Sequence, residues 1–238
     1  MPQQLDDAPA ARTYSLTVAA ARDLNPRMRR VTLAGESLSD FAPWPGQDVV
    51  LHLTDSGGAG VRRRYTVRHL DAALRRFELD FVMHGHGPGA RWAEQATPGE
   101  PIDVFGPRGK VVMADAGWQL FAGDESALPA IAEMIEALPA GVAATALVEV
   151  RDATDEQAIE AVADLDLRWL HRGQTPPGAA DLLDRAVEAI SLPASDRHVY
   201  LFGESRTVRR LRDIAGARGV GMSEISAKGY WNLGRGRA

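Results

Sequence analysis

The sequence predicts two domains of different fold class: an antiparallel β-barrel followed by an α/β domain built on a parallel sheet. Three observations predict this: short alternating strands in the first half, strand–helix alternation in the second, and a change in charge between them. Residues 1–117 carry 14 basic and 14 acidic side chains, whereas residues 118–238 carry 13 and 18. We place the two domains at residues 1–112 and 113–238.

The first half contains short strands separated by turn-forming residues, which is typical of an antiparallel barrel. A single helix is expected near residues 89–95. The predicted strands lie at 14–18, 30–33, 49–53, 65–68 and 77–83.

The second half alternates between apolar strands and helices with one apolar face, which favours a parallel sheet covered by helices. Residues 154–157 have the capping-box form and predict a helix that carries Ile159 and Val162. The other helices are expected around residues 128–138, 182–190 and 208–214. The predicted strands lie at 118–122, 143–150, 167–171 and 198–202.

Composition excludes several classes of protein. Of the 238 residues, 45% are hydrophobic and 25% charged, which is typical of a globular chain. A net charge of −5 disfavours a nucleic-acid partner, because backbone binding needs clustered positive charge. Cysteine is absent, which excludes disulfides and cysteine-bound iron–sulfur clusters on this chain. Neither a signal peptide nor a span of about 20 apolar residues is visible, so we expect a cytoplasmic protein without membrane insertion.

The run from Arg63 to Arg68 is the first candidate for binding chemistry. On a strand, Arg63, Tyr65 and Val67 share one face, and Arg64, Thr66 and Arg68 share the other. The tyrosine ring could stack on a flat heterocycle, a threonine hydroxyl could bond a ring nitrogen, and an arginine could pair with a phosphate. A solvated edge strand with a structural tyrosine is the alternative.

A glycine-rich loop opens the predicted helix near residue 89. Backbone amides at a helix start can bind a pyrophosphate, and small residues allow it to approach. The alternative is a plain turn. Histidines at 84 and 86 have no further ligand at a matching spacing, so no metal site is predicted. The loop and the start of the helix comprise His84, Gly87, Pro88, Gly89, Ala90 and Arg91.

A second strand–helix junction contains Asp124, Glu125, Ser126 and Ala127. Its acidic pair complements the helix dipole and would repel a pyrophosphate placed directly there. Strand ends of this kind are where open α/β sheets bind ligands.

The C-terminal tail combines aromatic residues with Lys228, Arg235 and Arg237. It could cover a flat ring or attract an anion, and a frayed basic terminus is the alternative.

Together these motifs resemble the siderophore-interacting protein family, the bacterial FAD-dependent ferric-siderophore reductases within the ferredoxin–NADP⁺ reductase-like group. The resemblance implies an FAD-binding barrel and an NAD(P)H-binding-type α/β domain. It is carried by R-x-Y-T at 63–66, H-G-x-G-P followed by R-W-A at 84–93, G-D-E-S-A-L-P-A-I at 123–131 and G-Y-W at 229–231.

The resemblance also implies a role for each matching residue. Arg63 would contact the FAD phosphates, Tyr65 would stack on the isoalloxazine, and Thr66 would bond near its N5, which makes Tyr65 and Thr66 the catalytic pair. The family tail ends Tyr-Trp-Arg, but Asn232 stands in the arginine position, so Lys228, Arg235 and Arg237 are the expected substrate contacts. The other implied cofactor-binding residues are Val67, Arg68, Asp80, Val82, His84, Gly87, Pro88, Gly89, Ala90, Arg91, Asp124, Glu125, Ser126 and Ala127.

The implied activity is electron transfer from NAD(P)H, or from a ferredoxin, through FAD to siderophore-bound Fe(III), which releases Fe(II). Two alternatives are a flavin-dependent reductase for another acceptor and a non-catalytic flavin- or siderophore-binding protein. The choice between NADH and NADPH is open, because arginines at 206, 209 and 210 could bind a 2′-phosphate or form a solvated helix face. A basic rim that could attract an anionic chelate comprises Arg62, Arg63, Arg64, Lys228, Arg235 and Arg237.

Overall fold

A computed structural model describes residues 10–84 and 87–234, which form two compact units. The first unit ends at Met113 and the second begins at Ala114. The first unit is made of β1 (Arg12–Asn25), β2 (Met28–Ala34), β3 (Asp48–Thr54), β4 (Gly60–Thr66), β5 (Arg68–Asp71), β6 (Arg76–Val82), α1 (Pro88–Gln95) and β7 (Pro101–Arg108), with a 3-10 turn at Glu36–Asp40.

The seven strands of the first unit form one antiparallel sheet in the order β4-β3-β7-β1-β2-β6-β5. Alternation places Phe77, Leu79 and Phe81 of β6 in the core, where each is fully buried, and turns Glu78 and Asp80 to the opposite face. The predicted antiparallel class is therefore confirmed, although β1 is longer than expected and β7 was not predicted.

The second unit is a five-stranded parallel sheet in the order β10-β9-β8-β11-β12. The chain runs outward from β8 to β10 and then returns to the other side of β8, so the switch point lies between β8 and β11. This confirms the predicted α/β class. Its elements are β8 (Trp118–Asp124), α2 (Leu128–Glu136), β9 (Ala143–Val150), β10 (Asp164–His171), α3 (Leu182–Ala189), β11 (Arg197–Glu204), α4 (Ser205–Ala217) and β12 (Ile225–Trp231).

The helix predicted to carry Ile159 and Val162 does not form. A single 3-10 turn at Ala153–Asp155 stands in its place, and the backbone is extended again at Glu156. The capping residue is Asp152, two residues before the predicted cap Thr154, and its carboxylate accepts the Thr154 N–H at 3.0 Å. Val162 is 72% exposed, so no apolar face is buried that would stabilise a helix here.

The start of the C-terminal tail is a strand, so a frayed terminus is the wrong interpretation of this part. β12 pairs with β11 along residues 225–231. Arg235 and Arg237, the predicted substrate contacts, lie outside the described residues. Among the helices of the part that the structure describes, none is long and apolar enough to cross a bilayer.

Candidate functional site

In the first unit, Tyr65 lies where β4, β6 and the start of α1 come together. Its ring centroid is 4.1 Å from that of Phe81, which in turn lies 5.4 Å from the ring of Trp92. A Cβ at Gly89 would overlap the Tyr65 hydroxyl oxygen and would lie 2.8 Å from the ring carbon that bears it. Tyr65 therefore rests directly on the first turn of α1, and only glycine leaves room for it.

The N-terminus of α1 is open to an anion. Gly87 is the N-cap, Pro88 follows, and no side chain of the described residues caps the helix. The proline has no N–H, so the first-turn amides of Gly89 and Ala90 form the positive end of the helix. The His84 imidazole lies against Gly87, where a Cβ would be 2.6 Å from its Cε1 atom. His84 and Gly87, the described residues on either side of the loop, are thus in contact at the helix start.

Arg63 and Tyr65 lie on the same face of β4, opposite Leu51 and Val49 of β3. The Arg63 guanidinium donates to the Arg62 carbonyl at 3.0 Å and is half-buried. Burial raises the pKa of the Tyr65 phenol, and Arg63 only partly opposes this, so the hydroxyl is a neutral donor at physiological pH. A cation, an aromatic ring and an uncapped helix start therefore belong to one small region. That chemistry suits the phosphates and the flat ring of FAD.

Two predicted cofactor residues are committed to a buried ion-pair network. The Asp80 carboxylate accepts two bonds from Arg30, at 2.6 and 2.7 Å, and Arg68 Nε lies 3.9 Å away. The side chains of Asp80 and Arg68 are only 3% and 5% exposed. Any contact of Asp80 with a cofactor would therefore involve its backbone. Thr66, the last residue of β4, is 8% exposed. The strand predicted at residues 65–68 is interrupted at Val67, so Thr66 and Arg68 belong to different strands.

In the second unit, the Asp124 carboxylate joins three segments at the end of β8. One oxygen accepts from the backbone N–H and the hydroxyl of Ser126, at 2.9 and 2.5 Å. The other accepts from the Glu204 N–H and from the Trp231 indole N–H, both at 2.9 Å. Asp124 is 4% exposed. Its acceptor positions are thus filled by the chain itself, which the sequence did not predict.

Glu204, at the end of β11, also accepts backbone N–H groups and is the N-cap of α4. Its carboxylate accepts the N–H groups of Arg206 at 2.7 Å, Thr207 at 2.8 Å and Leu233 at 3.1 Å. Burial alone would raise the pKa of Glu204, but these backbone bonds outweigh it and the net pKa is lowered. Glu204 is therefore a stable carboxylate, 1% exposed.

Glu125, Arg172 and Glu149 complete the carboxyl edge of the sheet. Glu125 accepts two bonds from the Arg172 guanidinium, at 2.7 and 2.5 Å. Burial raises the pKa of Glu149 to about 7. Arg172 opposes this shift, whereas the charges of Asp124, Glu125 and Asp184 add to it. Sequence analysis missed Glu149 and Arg172, although a polar residue at the end of an apolar strand is a visible signal.

We expect Glu149→Gln to raise the thermal midpoint above pH 7 and to leave it unchanged near pH 4. The folded pKa of about 7 exceeds the ordinary value of 4.5. The contribution of Glu149 to stability is therefore full below pH 4.5 and lost as the pH rises through 7, by about 3 kcal/mol at most. Scanning calorimetry from pH 4 to 8 measures this. Glu160→Gln, at an exposed position, is the control, and an unchanged pH profile in Glu149→Gln would contradict the assignment.

The remaining tail and helix residues also have partners. The Lys228 ammonium lies 5.2 Å from the ring centroid of Tyr230, which stacks on Phe202 at 5.7 Å. Arg210 Nε donates to Asp184 at 2.7 Å, and the arginines at 206, 209 and 210 are all exposed on α4. The solvated-face interpretation therefore fits all three.

Comparison with known proteins relates this chain to siderophore-interacting proteins. The siderophore-interacting FAD-binding domain model matches residues 53–111, and the siderophore-interacting protein model matches residues 116–234. The ferric vibriobactin reductase of Vibrio cholerae is 33% identical over 74% of this chain and 66% of its own. The NADPH-dependent ferric-chelate reductase of Escherichia coli is 27% identical over 93% of each. The crystal structure of a siderophore utilization protein from T. fusca has a TM-score of 0.88 at 34% identity, covering 96% of this chain and 95% of that one.

Proposed function

This chain belongs to the siderophore-interacting protein family, and from that premise we propose that it is an FAD-dependent ferric-siderophore reductase. The proposed reaction takes one NAD(P)H and two ferric siderophores to NAD(P)⁺, one proton and two Fe(II) ions with their released ligands. The observation that carries the proposal is the arrangement of Arg63, Tyr65 and Gly89 around the uncapped start of α1.

The chain itself supplies binding and orientation. When bound, FAD supplies the conversion between two-electron and one-electron chemistry. The N–H groups at the start of α1 and the Arg63 guanidinium would hold its phosphates. Tyr65, backed by Phe81, would hold the isoalloxazine, and the Thr66 hydroxyl would bond the ring. Asp80 could contribute only backbone contacts, and the Asp124 carboxylate is occupied by the chain's own donors.

The proposed substrate is a ferric siderophore, whose hard oxygen ligands prefer Fe(III) to Fe(II). Reduction therefore weakens the complex and releases the metal. Among the described basic residues, Arg62 and Arg64 are exposed on β4, although Arg64 Nε also donates to Asp48 at 3.2 Å. They would attract an anionic chelate. We propose that the reaction takes place in the cytoplasm, where NAD(P)H is the electron donor and Fe(II) is released.

The proposal is tested by anaerobic mixing of the chemically reduced, FAD-loaded protein with a ferric siderophore. We expect the flavin absorbance to return as ferrous iron appears in a colorimetric trap. A flavin that stays reduced with the ferric siderophore but is reoxidised by free flavin would instead identify a reductase for another acceptor.

Arg63→Ala tests the proposed contact of Arg63 with the FAD phosphates, and Arg62→Ala is its control. Loss of one charge-assisted bond to phosphate is expected to weaken FAD binding by about 10- to 100-fold. The neighbouring Arg62 lies on the opposite face of β4, so its loss should leave FAD binding nearly unchanged. Fluorescence titration of FAD into the stripped proteins measures both. Equal affinities in the two variants would contradict the role of Arg63.

A further inference from the structure

The carboxyl edge of the parallel sheet is where a phosphate-bearing ligand of a doubly wound fold ordinarily binds. Such ligands lie at the switch point, with their phosphates on the N–H groups of a helix start. In this unit the switch point lies between the ends of β8 and β11, beside the starts of α2 and α4. Asp124 and Glu204 stand at those two strand ends.

Both helix starts at this switch point are already bonded to the chain's own carboxylates. Glu204 accepts the Arg206 and Thr207 N–H groups, which are the first-turn amides of α4. Asp124 accepts the Ser126 N–H just before α2, and Pro129 in the first turn of α2 has no N–H to offer. Three amides near these helix starts, those of Ser126, Arg206 and Thr207, are therefore already bonded to carboxylates, and Pro129 has none to offer.

Two further hydrogen bonds, both from the end of β12 and the residues after it, cover the carboxyl edge of the sheet. The Trp231 indole donates to Asp124, and the Leu233 N–H donates to Glu204. A Cβ at Gly178, which has a φ of +75°, would lie 2.9 Å from Glu204 Cγ and 3.3 Å from the Trp231 ring. The loop before α3 thus lies directly against the same two side chains.

Charge at this edge also opposes an anionic ligand. The edge holds carboxyl groups of Asp124, Glu125, Glu149 and Glu204, while Arg172 is already paired with Glu125. A pyrophosphate would add two negative charges at low dielectric. Of the described cations at this edge, Arg172 is paired with Glu125, and the exposed Arg206 in the first turn of α4 could offset only one of these negative charges.

We infer that a pyridine-nucleotide donor is recognised by its dihydronicotinamide end alone, without a binding site for its pyrophosphate at the switch point. The inference rests on the proposed function and specifies its donor class: reduced nicotinamides down to the mononucleotide. The stoichiometry is unchanged. Each dihydronicotinamide loses two electrons and releases one proton, and two Fe(III) ions are reduced.

The test compares donors and fragments on the FAD-loaded protein. Anaerobic flavin reduction is measured with NADH, NADPH and reduced nicotinamide mononucleotide. ADP-ribose and 2′,5′-ADP are titrated separately by calorimetry, which needs no activity. We expect the three donors to agree in kcat/KM within about tenfold and the two fragments to show no binding at millimolar concentration.

Two results would overturn the inference. One is a kcat/KM for NADH or NADPH that exceeds that of the mononucleotide by more than about 100-fold. Two hydrogen bonds to the pyrophosphate would give an increase of about this size. The other is micromolar binding of ADP-ribose or of 2′,5′-ADP, the latter through the exposed arginines of α4. If no dihydronicotinamide reduces the flavin, the NAD(P)H part of the proposed function fails, and the calorimetric result still decides whether a pyrophosphate binds.

A pair of variants checks the physical cause. Glu204→Gln removes one negative charge but keeps an amide oxygen that can accept a backbone N–H. Glu188→Gln makes the same change on the exposed surface of α3. Because the glutamine oxygen still occupies the helix amides and only one charge is removed, we expect weak, millimolar ADP-ribose binding in Glu204→Gln and none in Glu188→Gln. Equal behaviour of the two folded variants, judged by circular dichroism, would overturn the electrostatic explanation.

Discussion

Gly89→Ala is expected to weaken FAD binding by about 10- to 100-fold, which is the effect of overpacking by 1–3 kcal/mol. The new methyl group would overlap the Tyr65 hydroxyl, so either the ring must leave Phe81 or α1 must shift. Fluorescence titration of FAD into the stripped protein measures the loss. Gly216→Ala is the control, because nothing lies within 4 Å of a Cβ at that helical position.

A double variant separates this clash from a general effect on α1. Tyr65→Phe removes the overlapping oxygen, although the ring carbon would still be 2.8 Å from the new methyl group. We therefore expect Gly89→Ala to cost less in the Tyr65→Phe background than alone. Additive losses, or wild-type affinity in Gly89→Ala, would contradict the proposed packing of Tyr65 on the helix start.

Asp124→Ala is expected to lower the free energy of unfolding by about 3–5 kcal/mol. The substitution leaves the Ser126 and Glu204 N–H groups and the Trp231 indole N–H without their acceptor, in a buried position. Urea denaturation followed by circular dichroism measures the loss. Asp213→Ala is the control, since its side chain is 72% exposed on α4.

The Asp124→Ala prediction distinguishes a structural role of Asp124 from a cofactor-binding role. If Asp124 served only to contact a flavin, Asp124→Ala would unfold within about 0.5 kcal/mol of the wild type, as a surface substitution does. A loss of several kcal/mol would show that its carboxylate joins β8, β11 and β12, as the hydrogen bonds indicate.

The fold class could be predicted from the sequence because it depends on local periodicity. The alternation of Phe77, Leu79 and Phe81 predicts a half-buried strand, and the structure buries all three. The helix predicted to carry Ile159 and Val162 shows the limit of such patterns. The predicted capping box at residues 154–157 does not form, because Asp152 caps a single 3-10 turn instead and Val162 is not buried against any neighbour.

The candidate site was predictable only where its residues form local motifs. Arg63, Tyr65 and the loop at residues 84–91 belong to short motifs with evident chemistry. The contact of Tyr65 with Gly89 depends on how α1 returns to β4, which no local pattern encodes. The same is true of the bond from Trp231 to Asp124, which joins the two ends of the second unit. The carboxyl edge was accordingly predicted as a ligand site, whereas its acceptors are filled by the chain.

The most direct test of the whole account is anaerobic iron release under turnover. The FAD-loaded protein is supplied with NADH or NADPH, a ferric siderophore and a ferrous trap, beside a control with free FAD at the same concentration. The account predicts a ferrous signal that requires both protein and donor, exceeds the control and falls in Gly89→Ala. A flavin that is reduced by the donor while the siderophore stays ferric would contradict it.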